Sequence, residues 1–219
     1  MSKWEGYGKS RDGSHMQLSY SWYGSWTTLY NLYADSLLCF HLDNTPLAQQ
    51  SLPFSDPVEQ TDEQKPIIKP PKSKPGFVPP HIYTMQSDWY HNVLQRYGLP
   101  LDSRHLYTKS DWEFFAAAVS SDSTRSEILQ AHAKWLNETT TDRPMTDLYD
   151  TEGTGHFLGA TFMNRPVIGG HFAFLTLKRA CGGAAMEGLK VIHGEKQNGR
   201  KNGKGAKRVG QANEAQVEL

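Results

Sequence analysis

Long apolar runs are missing from this sequence. None approaches the about 18 residues that a bilayer-spanning helix needs, which excludes a transmembrane protein of that kind. A charge excess is missing too: 23 Lys and Arg balance 23 Asp and Glu, so the chain as a whole makes no electrostatic case for a nucleic-acid partner. There is no His-Glu-x-x-His, no Cys/His metal spacing and no Gly-rich phosphate loop, so nothing points to a metal or a cofactor. Cysteine is scarce. Cys39 and Cys181 lie far apart and form no CxxC; free buried thiols are the ordinary reading, and a disulfide would require an oxidising compartment. Met1-Ser-Lys-Trp-Glu-Gly6 has no apolar h-region, so no secretory signal is visible.

What is present is enough for one domain: 219 residues, with 37% hydrophobic side chains. A mean hydropathy of −0.62 is low for a packed chain, so part of it lies outside a core. Two segments account for this. Residues 41–80 hold most of the prolines and few large apolar side chains, and read as an extended or disordered insertion. Residues 194–219 are basic and glycine-rich at their start and read as a disordered tail. The helical pattern lies elsewhere. Trp22, Trp26, Leu29, Tyr33, Leu37 and Phe40 recur at helical spacing and predict a helix over 17–40, its aromatics set in a wall or lining a cavity. A second helix is expected from Met85 to Tyr97, stopped by Gly98 and Pro100. A third starts at Ser110, where Ser110 and Glu113 form a capping-box pattern, and a fourth at Thr124 and Glu127 with Ile128, Ala131 and Trp135 inward. A last helix spans about Val167 to Ala180 and ends at Gly182-Gly183. No strand pair stands out. The class is all-α, built from antiparallel hairpins.

Five blocks carry more polar and aromatic residues than packing requires: SWYGSWTTLYNLYAD from Ser21, YTMQSDWY from Tyr83, YGLPLDSRHLYTKSDWEFF from Tyr97, TDLYDTEG from Thr146 and RPVIGGHFAFLTL from Arg165. In this order they resemble the central domain of the fungal glutaminase A family. The resemblance covers roughly residues 3–190 apart from the stretch near 41–80. It implies a six-hairpin α/α toroid of about twelve helices, of which the five or six visible here make a C-terminal portion. It also implies a secreted hydrolase that converts glutamine to glutamate and ammonia, which sets an extracellular expectation against the cytoplasmic one of a chain without a visible signal. Asn137-Glu138-Thr139 fits the glycosylation pattern and matters only in the secreted case. Neither Ser-x-x-Lys nor Thr-Gly-Gly-Thr occurs, which sets aside β-lactamase-like and asparaginase-type nucleophiles.

Amide hydrolysis asks for an activated nucleophile, an acid for the departing ammonia and charged groups for an amino-acid substrate. Arg104 and Arg165 are candidates for the substrate carboxylate, because a guanidinium fork matches two oxygens. Asp147, Asp150 and Glu152 place three acids in one short loop, where proximity can keep a proton on one of them. His105 and His171 are alternative acid–base groups. Asp111 joins the catalytic candidates, with the competing reading that Asp111 and Glu113 serve the helix dipole. Trp26, Asp88 and Tyr90 are candidates for substrate contact. Arg165 has its own simpler reading, an ion pair with an acid of the preceding loop. Two rival readings accompany the glutaminase one. Six-hairpin folds also host glycosidases, in which Trp22, Trp26 and Trp89 would stack on sugars. A truncated, inactive copy acting only as a partner surface is the other.

Overall fold

The computed structural model describes residues 4–49, 77–141, 144–156, 163 and 165–195. The centre of the expected insertion, 50–76, and the tail from 196 onward lie outside the described residues. Six α-helices carry the rest: α1 (Asn31–Leu37), α2 (Pro80–Val93), α3 (Ser110–Val119), α4 (Asp122–Glu138), α5 (Ala173–Arg179) and α6 (Ala184–Ile192). Two short strands, β1 (Tyr107–Lys109) and β2 (Leu148–Asp150), form an antiparallel ribbon. Among the described residues no helix is long and apolar enough to cross a membrane.

Helix α3 is the centre of the molecule. Ala116, Ala117 and Ala118 are all fully buried. Their short side chains let α1, α4, α5 and the turn at 166–172 approach α3 closely from different sides. Helix α4 presents Ile128, Ala131, His132 and Trp135 to this centre, the i, i+3, i+4, i+7 set of one helical face. Its cap lies three residues before the expected Thr124: Ser121 Oγ accepts from the backbone N–H of Thr124 at 3.3 Å. Helix α2 starts at Pro80, earlier than expected, because proline at the first helical position sacrifices only an N–H that has no intrahelical partner.

Several expectations are corrected, among them the lack of a strand pair, since β1 and β2 are short strands paired only across two intervening helices. Residues 17–30 are not helical. Ser25 Oγ donates to Trp22 O at 2.6 Å and accepts from Ser19 N at 3.2 Å, local bonds that compete with a helix, while Thr28 N donates to Leu101 O at 2.8 Å. Trp22 and Tyr23 consequently lie exposed, whereas Tyr33 in α1 is buried. The stretch 40–49 is not extended either: Phe40–Asn44 and Pro46–Gln49 form 3-10 turns that bury His41 and Leu42. The last helix, finally, is interrupted. Pro166–Phe172 is a 3-10 segment, and after α5 the chain turns through left-handed Cys181, Gly182 and Gly183 into α6, for which the sequence carried no expectation.

That turn is covalently fixed, because Cys39 and Cys181 are joined by a disulfide across 142 positions of sequence. The free-thiol reading is thereby overturned. The bond ties the 3-10 turns after α1 to the α5–α6 junction. Closing so long a loop restricts the unfolded chain, so reduction is expected to lower stability by about 2–5 kcal/mol, read as a drop in the urea midpoint with dithiothreitol. An unchanged midpoint would remove the clamp.

Beside it, Gly188 of α6 presses on the same turns. A Cβ there would lie 2.5 Å from Leu42 Cδ2 and 2.9 Å from His41 Nε2. His41 Nε2 donates to Ala185 O at 2.9 Å. Burial chiefly pushes its pKa down from the ordinary 6.5 to about 4, against the opposing effect of that bond. The neutral ring is therefore the folded form. Its contribution is complete above pH 6.5 and is lost as pH falls through 6.5 toward 4, about 3 kcal/mol in all. Buried Asp35 is shifted upward and acts in the opposite sense at low pH. The difference in stability between wild type and His41→Gln isolates the histidine: it should shrink as pH drops over that window, and a constant difference would refute the assignment.

Candidate active site

The β1–β2 ribbon sets the candidate residues in place. Tyr107 pairs with Asp150, Thr108 with Tyr149 and Lys109 with Leu148. One step further, Ser110 N donates to Asp147 O at 2.8 Å. At that point β1 turns directly into α3, so Lys109 and Asp111 of the junction arrive beside Asp147.

Asp147 is fully buried, and both its oxygens are taken by Arg165: Nε donates to Oδ1 at 2.9 Å and Nη2 to Oδ2 at 2.5 Å. This is the parallel two-bond match of a guanidinium to a carboxylate. Asp111 is 5% exposed. Its pKa is raised, first by burial and then by the negative charge of Asp147, with the Lys109 ammonium 3.5 Å from Oδ1 opposing. The 3-10 turn at 166–172 closes over Asp111. A Cβ on Gly170 would stand 2.7 Å from Asp111 Cβ and 3.0 Å from its Cα, so glycine is required for the approach. The next residue, His171, stacks on Phe114 with ring centroids 4.4 Å apart. Burial and then neighbouring His132 lower its pKa, while Asp147 opposes. Thr108 Oγ1, Ser110 Oγ and His171 Nε2 are buried without a hydrogen-bond partner, and Asp111 Oδ1 has only the Lys109 ammonium at 3.5 Å. Such atoms are rare in folded proteins, and these fall on the β1–α3 junction and the turn that covers it.

Beneath this corner lies a network that sequence reading missed. Glu113 does not reach back to its helix start. Its fully buried carboxylate accepts from Leu99 N at 2.8 Å and from Tyr149 OH at 2.7 Å. His132 Nδ1 sits 3.2 Å from the same carboxylate and 3.0 Å from the tyrosine oxygen. Burial, then Glu113, holds the Tyr149 hydroxyl well above its ordinary pKa. Tyr149 stacks on Trp135 at 3.8 Å, and Trp135 Nε1 donates to Gly155 O at 2.8 Å. The chain between Asp147 and Gly155 is thus pinned to α3 and α4. The one sequence cue was His132, a polar residue on the apolar face of α4.

The remaining candidates occupy other places. Asp147 and Asp150 stand three positions apart along extended chain, which sends them to opposite faces. The loop acids are therefore not one cluster. Asp150 is half-buried, its pKa raised first by burial and then by Glu152, with His156 opposing. His105 is exposed and stacks on Tyr107, next to Asp150 at that end of the ribbon. The Arg104 fork is engaged by Asp102, through Nε at 2.9 Å and Nη2 at 2.7 Å. Trp26 meets Trp89 edge to face at 6.1 Å. Asp88 is exposed on α2. Tyr90 is in the core, 1% exposed, its hydroxyl accepting from Leu29 N at 2.9 Å, a position that supports the fold and leaves no room for substrate.

Helices packed round a central helix, with buried carboxylates at a strand-to-helix junction, make this an all-α domain with a polar corner. The family model of the glutaminase A six helical-hairpin domain matches residues 1–61 and 74–175, and the chain belongs to that family. A "Probable glutaminase/05536" of Arthroderma benhamiae is 60% identical over 198 residues, covering 90% of this chain and 22% of the relative. "Glutaminase A" of Aspergillus oryzae is 39% identical over 179 residues, covering 81% and 21%. The chain thus spans about a fifth of the curated relatives it matches. No solved structure matches it.

Proposed function

We propose that this chain contributes the acid–base corner of a glutaminase A-type amidohydrolase, with L-glutamine as substrate and glutamate and ammonia as products. The observation that carries the reading is Asp111: a buried carboxyl, biased toward its protonated form, beside a second carboxylate whose charge is held by Arg165. Ammonia leaves an amide only if its nitrogen is protonated, and a carboxyl kept neutral by burial is suited to supply that proton. In this scheme Asp147 and Arg165 form a fixed pair that sustains the bias on Asp111 and orders the turn above it. His171, whose Nε2 is buried and without a hydrogen-bond partner, takes or holds a proton of the attacking water in this scheme. Lys109 tunes Asp111 from its outer side. The second end of the ribbon, with Asp150, His105 and Arg104, contributes to substrate contact together with Trp26.

The hairpins α1–α6 form part of an α/α toroid in this reading, and the disulfide supports an oxidising, extracellular setting. The test of the corner is a comparison of Arg165→Lys with wild type. A lysine keeps the charge but cannot make both parallel bonds, so a loss of ammonia release of about tenfold or more is expected with the fold intact. Wild-type activity in that variant would remove the pair from the mechanism.

A further inference from the structure

Asn137-Glu138-Thr139 is the one Asn-x-Ser/Thr triplet of the sequence, and the amidohydrolase reading makes no use of it. Its structural setting is specific. Asn137 lies in the last turn of α4 and is exposed. Relative to inward-facing Trp135 it is rotated by about 200°, two residues at the helical repeat, so it projects away from the core. Thr139 is already outside the helix, with extended backbone at φ −62° and ψ 137°. Leu136 beside it is an apolar side chain 51% exposed, which a bulky neighbour would shield. A different part of the molecule reports the compartment: the Cys39–Cys181 disulfide belongs to oxidising surroundings, where asparagine-linked glycans are also added.

We infer that Asn137 carries an asparagine-linked oligosaccharide. The donor is a lipid-linked diphospho-oligosaccharide. The side-chain amide nitrogen of Asn137 forms a bond to the anomeric carbon of the first sugar, the bond from that carbon to the diphosphate oxygen breaks, and the amide proton leaves with the diphospholipid. The folded helix does not hold the triplet in the extended form seen at Thr139, so the transfer precedes closure of the last turn of α4. The outward direction of Asn137 then lets α4 pack with the glycan in place. This inference rests on the extracellular part of the reading above and not on glutaminase activity.

The experiment is mass spectrometry of the protein purified from the cells that produce it and from their medium, without prior reduction. The peptide carrying Asn137 is expected to bear hexose-containing mass that an N-glycan amidase removes, leaving aspartate at that position. Asn137→Gln and, independently, Thr139→Ala should each yield protein of the deglycosylated mass. A disulfide-linked protein whose Asn137 peptide is unmodified overturns the glycan and leaves the oxidising compartment standing. An unmodified peptide together with free Cys39 and Cys181 overturns both. Ammonia release, measured separately, is unaffected by either result.

Discussion

Asp111→Asn is expected to lower kcat for ammonia release from L-glutamine by about 10²–10⁴-fold, the usual contribution of a positioned general acid. Asparagine keeps the shape and removes the transferable proton. The substitution should leave the unfolding midpoint unchanged or slightly raised, because a buried carboxyl that disfavours its charged form loses nothing by becoming neutral. The pH profile gives a sharper readout. With its pKa shifted upward, Asp111 remains protonated to higher pH than an ordinary aspartate, so the wild-type rate falls as pH rises through that shifted value. The variant should lack this limb. Lys109→Met removes the opposing ammonium, and the limb should move to still higher pH. A variant with the wild-type rate and profile would show that Asp111 is only a dipole partner of α3.

Glu113→Ala is expected to have the largest effect on stability, a loss of about 3–5 kcal/mol. The truncation strands Leu99 N–H and the Tyr149 hydroxyl without an acceptor and opens a void among α3, α4 and β2. Glu113→Gln, which keeps an oxygen acceptor and the volume, should cost clearly less. Urea unfolding followed by tryptophan fluorescence measures both, since Trp135 stacks directly on Tyr149. Gly98→Ala should reproduce part of the loss by another route, because a Cβ there would sit 2.2 Å from Glu113 Oε1 and 2.7 Å from Tyr149 OH. If Glu113→Ala unfolds at the wild-type midpoint, the network does not hold the β2 loop.

These residues also show what a linear sequence discloses. Helix α4 was legible because Ile128, Ala131 and Trp135 repeat at 3.6-residue spacing, and such a pattern is a local property of the chain. Residues 17–30 show the same periodicity in their aromatics, yet Ser19, Ser25 and Thr28 make side-chain and long-range backbone bonds that outbid a helix there. The ribbon of β1 and β2 was not legible, since three-residue strands separated by two helices carry no periodic signal and are defined only by their partner. Glu113 fits the capping-box pattern with Ser110, but its carboxylate is captured by Leu99 and Tyr149, 14 and 36 positions away. The disulfide likewise depends on a turn that brings residue 181 to residue 39. In the candidate site, Asp111, Asp147, Arg165 and His171 were each visible as chemistry-bearing residues. Their grouping apart from Asp150, His105 and Arg104 follows from strand alternation, which no spacing rule could show before the strands were known.

The most direct measurement is ammonia release from L-glutamine by the purified protein and by a chimera in which it replaces the matching stretch of the 60%-identical relative, each as wild type, Asp111→Asn and Asp147→Asn. Loss of activity in both variants, with near-ultraviolet circular dichroism unchanged, is the expected result wherever the wild type is active. Full activity in both variants, or hydrolysis of an oligosaccharide with none of glutamine, would contradict an acid–base corner at Asp111 and Asp147.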